Sequence, residues 1–143
     1  MPETYEFYIF HRSKPQPLYC KIFKRDAAES QREPRSITAI IDTFSRCLET
    51  FGQSAEARDV RAITTDHYKL HHFDTPTGLR LVLLTDPTVL TPAGNSVLLD
   101  IYRSAYVELV AKRPDYSVKD ADPIVSEPFD AAVARILHKA RLL

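Results

Sequence analysis

Tryptophan is missing from this chain, glycine occurs three times, cysteine twice and methionine once. Each scarcity removes a class of chemistry. Glycines at Gly52, Gly78 and Gly94 alone build no GxGxxG or GxxxxGK[ST] loop around a phosphate, and neither GxSxG nor HExxH occurs. Cys20 and Cys47 form no CxxC pair, so neither a zinc site nor a disulfide framework is signalled, and reduced thiols in a cytosolic setting are expected. Charge of one sign is also lacking. Nineteen basic and nineteen acidic side chains are interspersed, which argues against a nucleic-acid or anionic-membrane surface, since those partners are held by clustered Lys and Arg. No apolar run reaches the roughly 18 residues that cross a bilayer, because Asp86 cuts the best candidate. Glu3 and Glu6 at the start and Arg141-Leu142-Leu143 at the end suit neither a secretory signal nor a prenyl anchor, so membrane contact is expected to be indirect, through partners.

What is there is a chain of 143 residues, 44% apolar and 27% charged, the profile of one globular domain over residues 1–143. Tyr5 to Phe10 and Leu18 to Phe23 read as strands joined by the proline-rich turn Arg12 to Pro17. In the second, Leu18, Cys20 and Ile22 alternate with Tyr19, Lys21 and Phe23, which predicts an apolar inner face holding Cys20 and a place near a sheet edge. Asp26 to Arg35 is too polar to offset its ordering entropy and reads as a mobile loop. Ser36 then caps an amphipathic helix with Ile37, Ile40, Ile41, Phe44, Leu48 and Phe51 on one stripe and Gly52 at its end. Cys47 sits beside that stripe as a small buried or half-buried thiol.

After a polar loop, Gln53 to Asp59, three strands are predicted: Val60 to Thr64, Tyr68 to Phe73 and Leu79 to Thr85, the last two joined by the turn Asp74-Thr75-Pro76-Thr77-Gly78. Leu81 to Leu84 is apolar at every position, as in a central strand covered on both faces. Asp86 to Asn95 holds Pro87 and Pro92 and reads as a loop. From Ser96 to Arg113, Leu98, Ile101, Tyr102, Ala105, Leu109 and Lys112 recur at helical spacing, with a second apolar stripe of Val97, Leu99, Tyr106, Val107 and Val110 beside it. Such a helix needs cover on more than one side. Beyond the linker Asp115 to Val125, Ser126 and Pro128 open a last helix with Phe129, Val133, Ile136, Leu137 and Ala140 inward. The order ββαβββαα predicts an α/β three-layer sandwich, a five-stranded antiparallel sheet with one helix on one face and two on the other.

Candidate chemistry is thin. His67, His71 and His72 cluster near Asp66 and Asp74, but His71 and His72 point to opposite faces of a strand, and His67 is about 13 Å from His71 at strand rise, so half-exposed structural histidines are expected rather than a metal or acid/base site. A small hydrolase using Asp66, His67 and His71 is the competing enzymatic reading. The apolar surplus of the Ser96 to Arg113 helix and the border strand points instead to a partner.

Two stretches carry a resemblance. Tyr68-Lys69-Leu70-His71-His72-Phe73-Asp74-Thr75-Pro76-Thr77-Gly78-Leu79 running into Leu84-Thr85-Asp86, and Ile101 to Lys112 (IYRSAYVELVAK), together resemble the subunit-1 family of the TRAPP vesicle-tethering complex. Tyr5 to Arg12 and Ser126-Glu127-Pro128-Phe129 are similar to the family's opening strand and its closing serine, acid and phenylalanine. The prolines of Arg12 to Pro17 depart from the family's glycine turn, and Asp26 to Arg35 and Asp86 to Asn95 have no counterpart.

The resemblance implies a longin-like fold and a non-catalytic subunit without cofactor. It also implies pairing with another longin-like subunit related to sybindin, contact with Bet-type subunits, and a composite surface that exchanges nucleotide on an early-secretory Rab GTPase of the Ypt class. The place of work implied is the cytoplasmic surface of ER and cis-Golgi membranes. An exchange factor acts by binding the nucleotide-loosened GTPase better than the loaded one, so no proton donor or metal ligand is required of this chain. Pairing through the first helix and the third strand, as the resemblance implies, nominates Thr38, Asp42, Ser45, Arg46 and Glu49 on the helix and Arg61 and Ile63 on the strand. Tyr68, Lys69, Thr75, Gly78, Tyr102, Tyr106 and Glu108 are family-motif positions, Tyr68 and Tyr106 being expected in packing roles. Another longin-type trafficking module, an adaptor small subunit or a SNARE regulatory domain, is the alternative; the absence of heptads after Phe129 speaks against a SNARE.

Overall fold

The aromatic and β-branched run from Thr4 to His11 forms strand β1, whose odd and even side chains fill opposite sides of a sheet: Phe7 and Ile9 one way, Tyr8 and Phe10 the other, all buried. The computed structural model describes residues 3–14, 16–23, 37–43, 60–114, 116 and 123–143. Within them, β1, β2 (Tyr19–Ile22), β3 (Val60–Thr64), β4 (Lys69–Asp74) and β5 (Leu79–Thr85) make one antiparallel sheet in the order β2-β1-β5-β4-β3. β5 lies in the middle, and Leu81, Val82, Leu83 and Leu84 are each fully buried, which explains a strand with no polar alternation. Residues 37–43, α1, cover one face with Ile37 and Ile41, packed on Tyr8, Phe10, Ile63, Leu70, Val82 and Leu84.

The opposite face carries two helical stretches. α2 (Thr91–Asp100) continues directly into a segment with i→i+5 hydrogen bonding, Ile101–Ala111, and α3 (Glu127–Lys139) packs beside it. The expected sandwich, one helix on one face and two on the other, is the fold observed. The Ser36 cap, Phe44, Cys47, Leu48, Phe51, Gly52 and the loops Asp26 to Arg35 and Gln53 to Asp59 lie outside the described residues.

Several local expectations need correction. The helix begins at Thr91, so only the first half of the stretch Asp86 to Asn95 is loop; Pro92 sits in the first helical turn, where the missing N–H has no partner to lose. Asp86 shapes the short remaining turn by accepting from the Thr88 N–H at 2.9 Å and the Thr88 hydroxyl at 2.7 Å. Farther on, the wider i→i+5 winding buries Ile101, Ala105, Tyr106 and Val110, offsets of four, five and nine. Spacing by 3.6 therefore misplaced Lys112, which is exposed, and underrated Tyr106.

β2 departs from its expected faces at Tyr19, Cys20 and Ile22, while Leu18 just before it is buried as expected. Tyr19 is inside, against Phe7 and edge-on to Phe129 at 4.8 Å and 88°, while Cys20 and Ile22 are exposed. Cys20 lies opposite Tyr8, on the α1 side of the sheet at its border, and the aromatic ring occupies the side backed by α3. In α3, Phe129, Val133 and Leu137 are buried as expected, Ala132 takes an inner place, and Ala140 is exposed. Ser126 caps the helix, its hydroxyl accepting from the Phe129 N–H at 3.2 Å. After the helix, Arg141 adopts φ 61° and Leu142 donates to the Leu137 carbonyl at 2.9 Å, a left-handed C-terminal closure.

Candidate functional site

Beside its buried apolar face, α1 is tied to the sheet by an ion pair. Arg80 on β5 donates from Nε and an outer nitrogen to the two Asp74 oxygens at 2.9 and 3.1 Å, and from the other to Asp42 of α1 at 3.0 Å. Burial alone would raise the Asp74 carboxyl, but its polar neighbours His72 and Arg80 bring it down to about 2. The Arg80 fork is the main contact, since His72 Nδ1 stands 3.6 Å from Asp74, longer than a hydrogen bond. Asp42, nominated for a partner, is thus half exposed and already ion-paired within the chain.

Around this pair opens a cleft of about 330 Å³ between the end of β1, α1 and the β4–β5 hairpin. Its lining includes Arg12 and Lys14 after β1, Thr38 and Asp42 of α1, and Asp74, Gly78 and Arg80 of the hairpin. Gly78 has φ +91°, which the turn requires, and a Cβ there would fall 2.9 Å from Arg12 Nε, so the Arg12 side chain lies across the glycine. The Arg12 N–H donates to the Gly78 carbonyl at 3.0 Å, fixing the same approach through the backbone.

The histidines do not assemble a site. His71 is fully buried and His72 3% exposed, not half-exposed as expected from the strand pattern. The Thr85 hydroxyl donates to the Asp86 carbonyl at 3.1 Å, which leaves its oxygen to accept from His71 Nε2 at 3.0 Å. His71 Nδ1 then has no hydrogen-bond partner and faces Gly94 of α2, where a Cβ would stand 2.1 Å from it. Burial, with the Lys69 charge second, pushes the imidazole down to about 4, so it is neutral. Asp66 and His67 are exposed in the β3–β4 turn, where the Thr65 hydroxyl accepts from the Tyr68 N–H at 3.1 Å. His71, sealed beneath α2, is unavailable to them, and the hydrolase reading has no assembled site. Among the described residues no group of three or more metal-ligating side chains occurs.

The family-motif positions mostly hold the fold. Lys69 donates to the Val89 carbonyl at 2.8 Å, anchoring the turn before α2. The Thr75 hydroxyl accepts from the Leu79 N–H at 3.1 Å inside the hairpin. Tyr102 stacks on Tyr106 at 5.7 Å and 13° and tilts against Phe73 at 5.8 Å, and Tyr106 is 3% exposed, its phenol pushed up by burial and by Tyr116. Tyr68 is half-buried against the α1 cluster, and Glu108 makes an ordinary exposed pair with Lys112 one turn on, at 3.0 Å. Neither the Arg80 bridge nor the Gly94 contact was found by sequence reasoning; a lone Arg between strand apolars and a lone Gly in a helix were the available signals.

Of the nominated partner surface, Thr38 and Asp42 line the cleft. Ser45, Arg46 and Glu49 lie outside the described residues, as does the side chain of Arg61. Ile63 is 9% exposed and packs in the α1 cluster, so its side chain is core and only its backbone is at the border. β3 is the last strand of the sheet, with β4 on one side and no further strand on the other among the described residues. At the other border, the Ile124 N–H donates to the Leu18 carbonyl at 2.9 Å, so the segment before α3 bridges the start of β2.

Comparison with known proteins agrees with this geometry. The Sybindin-like family profile matches residues 5–140. The chain is 41% identical over 125 residues to the transport protein particle subunit bet5 of Schizosaccharomyces pombe, covering 79% of each. It is 49% identical over 53 residues to human trafficking protein particle complex subunit 1, covering 37% of this chain and 35% of that protein. Bovine trafficking protein particle complex subunit 4 is 38% identical over 81 residues, 57% of this chain and 35% of that protein. With a match spanning almost the whole sheet and its helices, and a fold in keeping with a longin-like sybindin domain, the chain belongs to the Sybindin-like family.

Proposed function

We propose that this chain is a non-catalytic core subunit of a TRAPP-type vesicle-tethering complex, paired with a second longin-like subunit and in contact with Bet-type subunits. The observation that carries the reading is the 41% identity to bet5 over most of both chains. Two structural features support it. Among the described residues no strand lies beyond β3, a border to which a partner strand can add main-chain hydrogen bonds, whereas the start of β2 is bridged by Ile124. α1 shares an apolar cluster with Ile63 of β3 and is ion-paired to Arg80 of β5, so helix and strand lie side by side as one docking surface.

In the assembled complex the chain adds surface that favours the nucleotide-loosened state of an early-secretory Rab GTPase of the Ypt class, at ER and cis-Golgi membranes. The differential affinity of that surface is the catalysis, and partner subunits supply the groups that reach the GTPase. Tagged chain recovered from its own cells should bring down the other small subunits, identified by mass spectrometry. The reconstituted complex should release fluorescent GDP from the Rab at least about 10-fold faster than the same mixture lacking this chain, a difference of about 1.4 kcal/mol in barrier. Recovery as a lone monomer, or equal release without it, overturns the proposal.

A further inference from the structure

Two of the chain's ten prolines directly follow a threonine, Thr75-Pro76 and Thr91-Pro92, and none follows a serine. The fold treats the two pairs differently. Thr75 is 7% exposed, and its hydroxyl is engaged by the Leu79 N–H at 3.1 Å and by the Thr77 hydroxyl at 2.8 Å inside the hairpin. Thr88, in the turn before α2, is exposed, but its hydroxyl donates to Asp86 at 2.7 Å and valine, not proline, follows it. Thr91 has both properties that these two divide between them. It is half-exposed, and its hydroxyl makes no hydrogen bond and reaches solvent. Its flanks are open as well: Leu90, extended at φ −69° and ψ 144°, is 72% exposed, and Pro92 and Ala93 are exposed. An enzyme that modifies such a pair reads the fixed φ and missing N–H of the proline.

We propose that Thr91 is a phosphorylation site, the acceptor for a proline-directed protein kinase, and that the modified side chain firms the start of α2. The γ-phosphoryl group of ATP moves to the Thr91 hydroxyl oxygen: the new P–O bond forms as the bond to the β,γ-bridging oxygen breaks, ADP leaves with that electron pair, and the hydroxyl proton goes to the kinase's base. The product fits its place. The first turn of α2 holds no acidic residue and no side-chain cap, and Lys69 brings its ammonium to the preceding residues, on the Val89 carbonyl at 2.8 Å. Asp86, the acid of that turn, is directed to the N–H and hydroxyl of Thr88. A phosphate carrying about −1.5 to −2 at Thr91 therefore meets the helix dipole in its favourable sense.

The test incubates the full chain, freed of phosphate, with a purified proline-directed serine/threonine kinase and ATP, and maps the product by mass spectrometry. Thr91 should gain phosphate at least about 10-fold faster than Thr75 or Thr88, Pro92→Ala should slow it at least about 10-fold while leaving the helical circular dichroism in place, and Thr91→Val should abolish it. Chain taken from its own cells should carry phosphate on Thr91. In urea unfolding at low salt, the phosphorylated chain should have a folded-to-unfolded ratio about 2- to 5-fold above the parent, a gain that shrinks as salt is added. Thr91→Asp should keep part of that gain over Thr91→Val. Modification of Thr75 as fast as of Thr91, an unchanged rate in Pro92→Ala, or no phosphate on Thr91 from the kinase or from cells overturns the site. A ratio no higher than the parent's overturns the effect on α2.

Discussion

His71 and His72 are adjacent in β4 and belong to different worlds, because neighbouring strand residues face opposite sides of the sheet. His71 enters the side covered by α2, meets the bare Cα of Gly94 and keeps one ring nitrogen without a partner. His72 enters the side covered by α1, where Asp74, Arg80 and Asp42 form a polar chain leading to an open cleft. Both faces are packed with apolar side chains, but the first seals its histidine against a helix backbone, whereas the second adds an ion-paired rim to its core. The contact at Gly94 therefore tolerates little change of volume, and the rim contributes less.

The sharpest way to break that contrast is Gly94→Val. Its side chain would occupy the His71 ring, so α2 must lift, and a loss of about 3 kcal/mol in urea unfolding is expected. Acid is the next. His71 has a folded pKa of about 4 against 6.5 when unfolded, so the unfolded chain binds the extra proton between those values. Stability is then complete above about pH 6.5 and falls as pH drops toward 4, by roughly 2–3 kcal/mol for this one group. His71→Leu should flatten that slope; an unchanged slope would place the titration elsewhere. The smallest effect belongs to the rim. Asp42→Asn removes one half-exposed partner of Arg80, leaving Asp74, and should cost about 0.5 kcal/mol, less in 1 M NaCl.

How much of this was readable in sequence follows from where the determinants lie. The succession of strands and helices, the apolar run of Leu81 to Leu84 that marks a covered strand and the opening of α3 at Ser126 are local or periodic, and each shows in a short window. Pro92 misled because proline stops a helix in its interior and starts one in its first turn; the residue alone does not say which. The i→i+5 winding moved Tyr106 inward, since the 3.6 period no longer applied. Cys20 and Tyr19 exchanged faces because the depth of cover on each side of β2 is a tertiary matter. The cleft was the least legible feature, being assembled from β1, α1 and a hairpin far apart in the chain.

The link between the Thr4 N–H and the Leu142 carbonyl, 2.8 Å, joins the two extremities of the fold. β1 likewise finds its central neighbour only in β5, 76 residues later where Phe7 lies against Leu83. During synthesis the opening strand must wait, unpaired on its inner flank, until β5 has emerged from the ribosome, and the domain clasps shut only when its final helix is delivered. Joining the two extremities by a short linker and cutting at an exposed turn should therefore yield a circular permutant in which the order of waiting, rather than the finished shape, is altered.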